Sequence, residues 1–162
     1  MTHPELNGTV AVVTGASRGI GPHIAAALAQ RGAKIALVAR SQPKLDTVAR
    51  TLSEDGSPVL TIAADVTSAA DRRRIVETTE RVLGPIGVLV NNAGGDLQRE
   101  FHNLSEREIL AVLDLNLTSA VMLARLVLPG MLAREEGHIV NISSMAGRVS
   151  FPFTEAYAAG NS

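Results

Sequence analysis

No cysteine occurs among the 162 residues. Disulfides, thiolate metal sites and a cysteine nucleophile are therefore excluded. Aromatic residues make up only 2% of a chain that is 46% hydrophobic, so Ala, Val, Leu and Ile have to build the core. Neither sign of charge is in excess. The formal net charge of −1 offers no electrostatic attraction to nucleic acid or to an anionic membrane. The opening MTHPELNGTV lacks the basic segment and apolar run of a secretory leader. The longest apolar stretch, Ile109 to Leu132, is interrupted by Asp114, Asn116 and Arg125 and reads as one or two buried helices, not a membrane span. A soluble, cytoplasmic protein is expected. His3, His23, His102 and His138 are scattered without ligand spacing, so no metal site is expected. Arg72-Arg73-Arg74, beside Asp71 and Glu77, reads as a solvated helix face and not as a nucleic-acid patch.

What is present is an alternation of β-branched runs with stretches of helical period. VAVVT (10–14), KIALVA (34–39), VLTIA (59–63), VLVN (88–91) and HIVNIS (138–143) read as five strands. Helices are expected over Ile20 to Gln30, Lys44 to Glu54, Ser68 to Leu83, Ser105 to Leu113 and Leu115 to Arg134. A further helix begins near Thr154. Ser68 suits an N-cap, and Gly84-Pro85 a stop signal. Strands without polar alternation, each separated by a helix, specify an α/β fold with helices on both faces of a parallel sheet. Right-handed crossovers then give a doubly wound sheet of order 3-2-1-4-5. Residues 1–162 form one domain, with no linker and no repeat.

Thr14 to Gly21 reads TGASRGIG, at the junction of the first strand and first helix. Gly15, Gly19 and Gly21 let the chain turn tightly and bring its backbone against a ligand, while free N–H groups at the helix start face a diphosphate. Pro22 fits the first helical turn, which needs no N–H partner. The same glycines could also make a tight turn with no ligand. The second strand ends in Ala39-Arg40-Ser41, with no acid. A carboxylate there would bond the ribose hydroxyls of NAD, whereas a basic side chain pairs with the 2′-phosphate of NADP. Either arginine taken alone could be solvated surface.

The spacing TG-x-x-x-G-x-G resembles that of the short-chain dehydrogenases/reductases. Asn91-Asn92-Ala93-Gly94, Asp65-Val66 and GHIVNISS (137–144) extend the resemblance in the family's order, from about residue 7 to residue 159. It implies a Rossmann-type sheet with the family's last strands missing, so that the domain is incomplete at its C-terminus. It also implies that NADP(H) is held by Gly15, Ser17, Arg18, Gly19, Ile20 and Gly21 in the loop. Arg40, Asp65, Val66, Asn92, Ala93 and Gly94 would complete the cofactor site. Arg18 and Arg40 would then converge on the 2′-phosphate as charge-assisted donors.

The resemblance further implies a ketone/secondary-alcohol oxidoreductase acting on a small carbonyl or alcohol substrate. Matched residue by residue, Tyr157 is the general acid/base, Ser144 the partner of the substrate oxygen and Asn116 a proton relay. Ser144 lies 13 residues before the chain's only tyrosine. Taken singly, Ser144 could be a turn residue and Asn116 an N-cap. The family's lysine, four residues after the tyrosine, is replaced by Asn161. A phenol ordinarily titrates near pH ~10, so its phenolate at pH 7 costs about 4 kcal/mol, part of which a nearby ammonium offsets. A nucleotide-binding remnant without activity is therefore the alternative. The fifth strand is expected as an exposed edge and the long helix as an apolar patch. A homo-oligomer is what the resemblance implies for a full-length member.

Overall fold

Residues that are β-branched or small and apolar on consecutive positions can be buried on both faces of a sheet, and these runs do form the strands. The computed structural model describes residues 6–53, 56–149 and 151–162. Its strands are β1 (Val10–Thr14), β2 (Lys34–Ala39), β3 (Val59–Ala63), β4 (Ile86–Asn91) and β5 (His138–Asn141). All pair in parallel in the order β3-β2-β1-β4-β5. Successive side chains leave opposite faces, giving two cores. Val12, Val38 and Leu89 pack with Ile75, Leu123 and Val127 on one side. Val13, Leu37 and Val90 pack with Ala25 and Leu45 on the other.

The helices are α1 (Gly21–Ala29), α2 (Gln42–Ser53), α3 (Ala69–Leu83), α4 (Glu106–Leu113), α5 (Ser119–Ala133) and α6 (Glu155–Asn161). Ser68 caps α3 by accepting from the Asp71 N–H at 3.3 Å, and Gly84, at φ +107°, ends it. Ser105 and Glu108 form a reciprocal capping box at the start of α4. β4 begins two residues earlier than its apolar run suggested, at Ile86, and β5 ends at Asn141 rather than at Ser143.

Three expectations need correction. The two helices expected between Ser105 and Arg134 are one continuous run, joined by a π-helical turn at Asp114–Thr118. Ser119 Oγ donates to Leu115 O at 2.7 Å where that turn disturbs the regular ladder. This run is not wholly buried: Val112, Ser119, Leu123, Val127 and Met131 face the protein. Val121 and Leu132 are 52% and 66% exposed, because an apolar sequence fixes no single face when nothing packs on the other side. By length and composition the segment could also cross a bilayer, but here its buried stripe belongs to the core over the sheet. Arg72, finally, is not a solvated charge. It is 9% exposed, and its Nη1 donates to Val66 O at 2.6 Å and to Thr67 O at 2.7 Å.

Strand β5 forms one edge of the sheet, with Val140 on it and Ile142 just beyond it exposed, as anticipated for that strand.

Candidate functional site

The strand order reverses between β1 and β4, which opens a crevice at the carboxyl ends of the strands. The loop from β1 to α1 lies there. Gly15 and Gly19 have φ of +65° and +61°, conformations that side-chain-bearing residues rarely adopt. A Cβ on Gly15 would sit 2.9 Å from Ala93 Cα, and one on Gly21 would collide with Gly15 O. A Cβ on Gly19 would meet nothing within 4 Å, so this backbone borders open space. Ile20, at the start of α1, provides no side-chain cap, which leaves N–H groups of the first turn available to an anion.

Two side chains clasp this loop to the end of β4. The Thr14 hydroxyl, 1% exposed, accepts from Asn92 N at 2.9 Å and from Ala93 N at 3.0 Å, and donates to Val90 O at 3.2 Å. Asn92 Nδ2 donates to Thr14 O at 2.9 Å and to Gly15 O at 3.3 Å. The next link belongs to Asn91, whose Nδ2 donates to Asn141 Oδ1 at 2.9 Å and so ties β4 to β5.

A groove of about 650 Å³ runs along these loops. It brings together Gly15, Ser17, Arg18, Gly19, Ile20, Arg40, Asp65, Val66, Asn92, Ala93 and Gly94. Gly21 is the one expected cofactor residue that does not line it; it is buried behind the loop, where its missing side chain lets α1 close on Gly15. Asp65 Oδ1 accepts from the Thr67 N–H at 3.0 Å and hydroxyl at 2.8 Å, and Asp65 N donates to Asp71 Oδ2 at 2.8 Å. That N–H, and then Arg74 at 2.8 Å, hold the Asp71 carboxyl below the usual carboxylate range. Arg72 fixes the Val66 and Thr67 carbonyls from beneath. Sequence reasoning missed Thr14 as a clasp, Arg72 as a support and Lys44 as a lining residue. The absence of any acid in the first turn of α2 was the available signal for Lys44.

A second cleft, of about 520 Å³, shares Ile20, Asn92, Ala93 and Gly94 with the groove. Asn116, Ser144, Tyr157 and Asn161 all line it. Asn116 lies within the π-helical turn, not at an N-cap. Its Nδ2 donates to Gly95 O and Val112 O, both at 2.8 Å, and its Oδ1 accepts from Gly95 N at 3.1 Å. One amide hydrogen and the amide oxygen thus hold the chain after Gly94 in place, while the other hydrogen is taken by the preceding helical turn. Ser144 Oγ accepts from Ala146 N at 3.1 Å, which leaves its hydroxyl hydrogen to donate elsewhere. Ser143 instead donates its hydroxyl hydrogen to Asn161 O at 2.6 Å, so the geometry separates the two serines. Tyr157 is half-buried on α6. The helix is seated by Gly160, where a Cβ would come within 3.1 Å of Asn116 Cβ. One turn after the tyrosine, Asn161 Nδ2 donates back to Tyr157 O at 2.8 Å.

Among the described residues no group of three His, Asp or Glu side chains could hold a metal ion; His3 lies outside them.

A family model described as short chain dehydrogenase matches residues 9–161. Ketoacyl reductase HetN of a Nostoc species is 39% identical over 154 residues, covering 95% of this chain and 54% of that protein. The chain therefore spans about half the length of this curated relative. A metagenomic short-chain oxidoreductase solved in complex with NADP superposes with a TM-score of 0.92 at 38% identity, over 96% of this chain and 71% of that one. A short-chain type dehydrogenase/reductase from Mycobacterium marinum gives a TM-score of 0.92 at 29% identity, over 97% and 63% of the two chains.

Proposed function

Because the chain belongs to the short chain dehydrogenase family, we propose that it binds NADP(H) and descends from, or forms part of, an oxidoreductase that interconverts a ketone and a secondary alcohol. The observation that carries the cofactor reading is the groove itself. It joins the positive-φ glycine loop to Arg18 and Arg40, and Asp65, its one acidic lining residue among the described residues, is engaged by Thr67. The loop suits a diphosphate, since the space beside Gly19 is open and no side chain caps α1. The two guanidiniums suit a 2′-phosphate. The relative solved with NADP supports the same choice.

NADPH, when bound, supplies the hydride that reduces a carbonyl carbon. The Ser144 hydroxyl donates to the carbonyl oxygen, and Tyr157 delivers the proton. Asn116 contributes by holding Gly95 through one amide hydrogen and its Oδ1, its other hydrogen being engaged by Val112 O. Among the described residues Asp96 is the only charged side chain lining the catalytic cleft, which supports a neutral carbonyl or alcohol as the small-molecule partner. Neither nucleic acid nor membrane enters this reading.

Asn161 favours a second reading, in which the chain binds the cofactor and turns over slowly. An amide that bonds its own helix supplies no positive charge to a phenolate. Titration with NADPH, followed by nicotinamide fluorescence, tests the binding step, and the same cuvette with added ketone tests turnover. Micromolar binding of NADPH with at least tenfold weaker NADH supports the cofactor assignment, on the scale of one charge-assisted contact. Equal affinity for the two overturns it.

A further inference from the structure

Across the molecule, cations that touch other groups are satisfied in recognisable ways. Lys34 Nζ donates to Leu83 O at 3.2 Å, and Arg134 Nη2 donates to Ile86 O at 2.8 Å. Arg74 and Arg99 pair with Asp71 at 2.8 Å and Glu108 at 2.7 Å. Cations such as Arg73 and Arg81 have no such partner among the described residues but stand on the exposed face of α3. Three others differ from both groups. Arg18, Arg40 and Lys44 are exposed, make no hydrogen bond or ion pair among the described residues, and line one groove.

Lys44 lies in the first turn of α2, which contains no acid. A cation there opposes the helix dipole and costs stability unless an anion is present. The nearest carboxylate on the helix does not offset it. Asp46 Oδ1 accepts from Gln42 Nε2 at 2.6 Å and from the Thr61 hydroxyl at 3.4 Å, and Asp46 lines a separate surface hollow beside β3. Across the groove, Asp65 Oδ1 is likewise held by Thr67. Among the described residues, the mouth of the groove therefore presents three unpaired positive charges and a single, already bonded carboxylate.

We propose that Lys44 is a specificity-determining residue, a third cation that joins Arg18 and Arg40 on the ribose 2′-phosphate and sets the preference for the phosphorylated cofactor. This rests on the NADP(H) reading above. The two arginines offer planar forks, whereas the lysine offers a mobile point charge on a flexible stem. A dianion gains from all three, and a ribose hydroxyl gains little from an ammonium.

Calorimetry with 2′,5′-ADP and 5′-AMP, which differ only in the 2′-phosphate, isolates this subsite from the nicotinamide end. The 162-residue chain is compared with Lys44→Gln and Lys44→Arg. Removing a cation from a first helical turn does not weaken the helix, so Lys44→Gln folds, and circular dichroism checks it. Lys44→Gln is expected to weaken 2′,5′-ADP about fivefold to tenfold, the lower range for a charge-assisted contact at an exposed site. It leaves 5′-AMP within about twofold and makes the salt dependence of 2′,5′-ADP binding shallower by about one ion. Lys44→Arg retains most of the affinity. If Lys44→Gln changes both ligands alike, or leaves 2′,5′-ADP unchanged while the parent chain still prefers it, the role of Lys44 is refuted and the NADP(H) reading stands. A parent chain that binds both nucleotides equally, or neither, refutes that reading and the role of Lys44 with it.

Discussion

Replacing Thr14 with valine keeps the shape of a side chain that is 1% exposed and removes only its oxygen. Two N–H groups, those of Asn92 and Ala93, then lose their acceptor, and Val90 O loses a donor. A buried donor left without a partner costs about 1–3 kcal/mol. Both are partly buried, so the lower part of the range applies to each, and the sum is about 2–4 kcal/mol after the added methyl group is credited. That is a large fraction of the roughly 5–15 kcal/mol by which domains are stable. Urea titration followed by far-ultraviolet circular dichroism measures it. Thr14→Ser, which keeps the oxygen and loses a methyl group, is expected to lose only about 1 kcal/mol. Because the clasp places the glycine loop against β4, NADPH affinity falls in Thr14→Val and is largely kept in Thr14→Ser. A Thr14→Val chain within about 0.5 kcal/mol of the parent, or one destabilised less than Thr14→Ser, refutes the clasp.

Three further outcomes follow from the same geometry. Arg72→Met frees two carbonyls from short charge-assisted bonds and is expected to cost about 1–3 kcal/mol in urea titrations. It weakens NADPH and NADH alike, since it disturbs the Val66–Thr67 wall and not the phosphate mouth. The Glu108 carboxyl is held at about 2 by the Ser105 hydroxyl and N–H, with help from Arg99. Its folded value lies below its ordinary value near 4.5, so its stabilising effect is complete above pH ~4.5 and disappears as pH falls through about 2. Carboxyl NMR titration reads this directly, and a Glu108 midpoint near 4.5 contradicts it. Asn161→Lys places an ammonium one turn after Tyr157 and is expected to raise NADPH-dependent reduction of a small ketone about tenfold or more. The alkaline limb of its pH profile moves to lower pH; an unchanged profile means that Asn161 is not what limits turnover.

Much of this fold was legible because it is written locally. The limits of β1, β2 and β3 match their apolar runs, and the sheet order follows from strand–helix alternation. The glycine loop was legible for the same reason, since positive φ at Gly15 and Gly19 is a local demand. What escaped depends on distant partners. The π-helical turn at Asp114–Thr118 has no period of its own in a run of leucines. Arg72 looked like its neighbours, and only the loop around Val66 and Thr67 buries it. Thr14 joins residues 76–79 positions away, a pairing no short window contains. Ser144 and Ser143 could be matched by family spacing, but their hydroxyl partners, Ala146 and Asn161, appear only in three dimensions.

The central claim is that backbone amides of residues 15–21 receive a diphosphate while the mouth lined by Arg18, Arg40 and Lys44 receives a phosphate. Amide chemical-shift mapping of the labelled chain with NADP⁺ tests it most directly. The largest perturbations are expected at residues 15–21, with further changes at 40–44, 65–67 and 92–94, and none along the exposed face of α5. Saturating NADP⁺ that leaves the amides of residues 15–21 unmoved, or shifts only α5, would contradict the account.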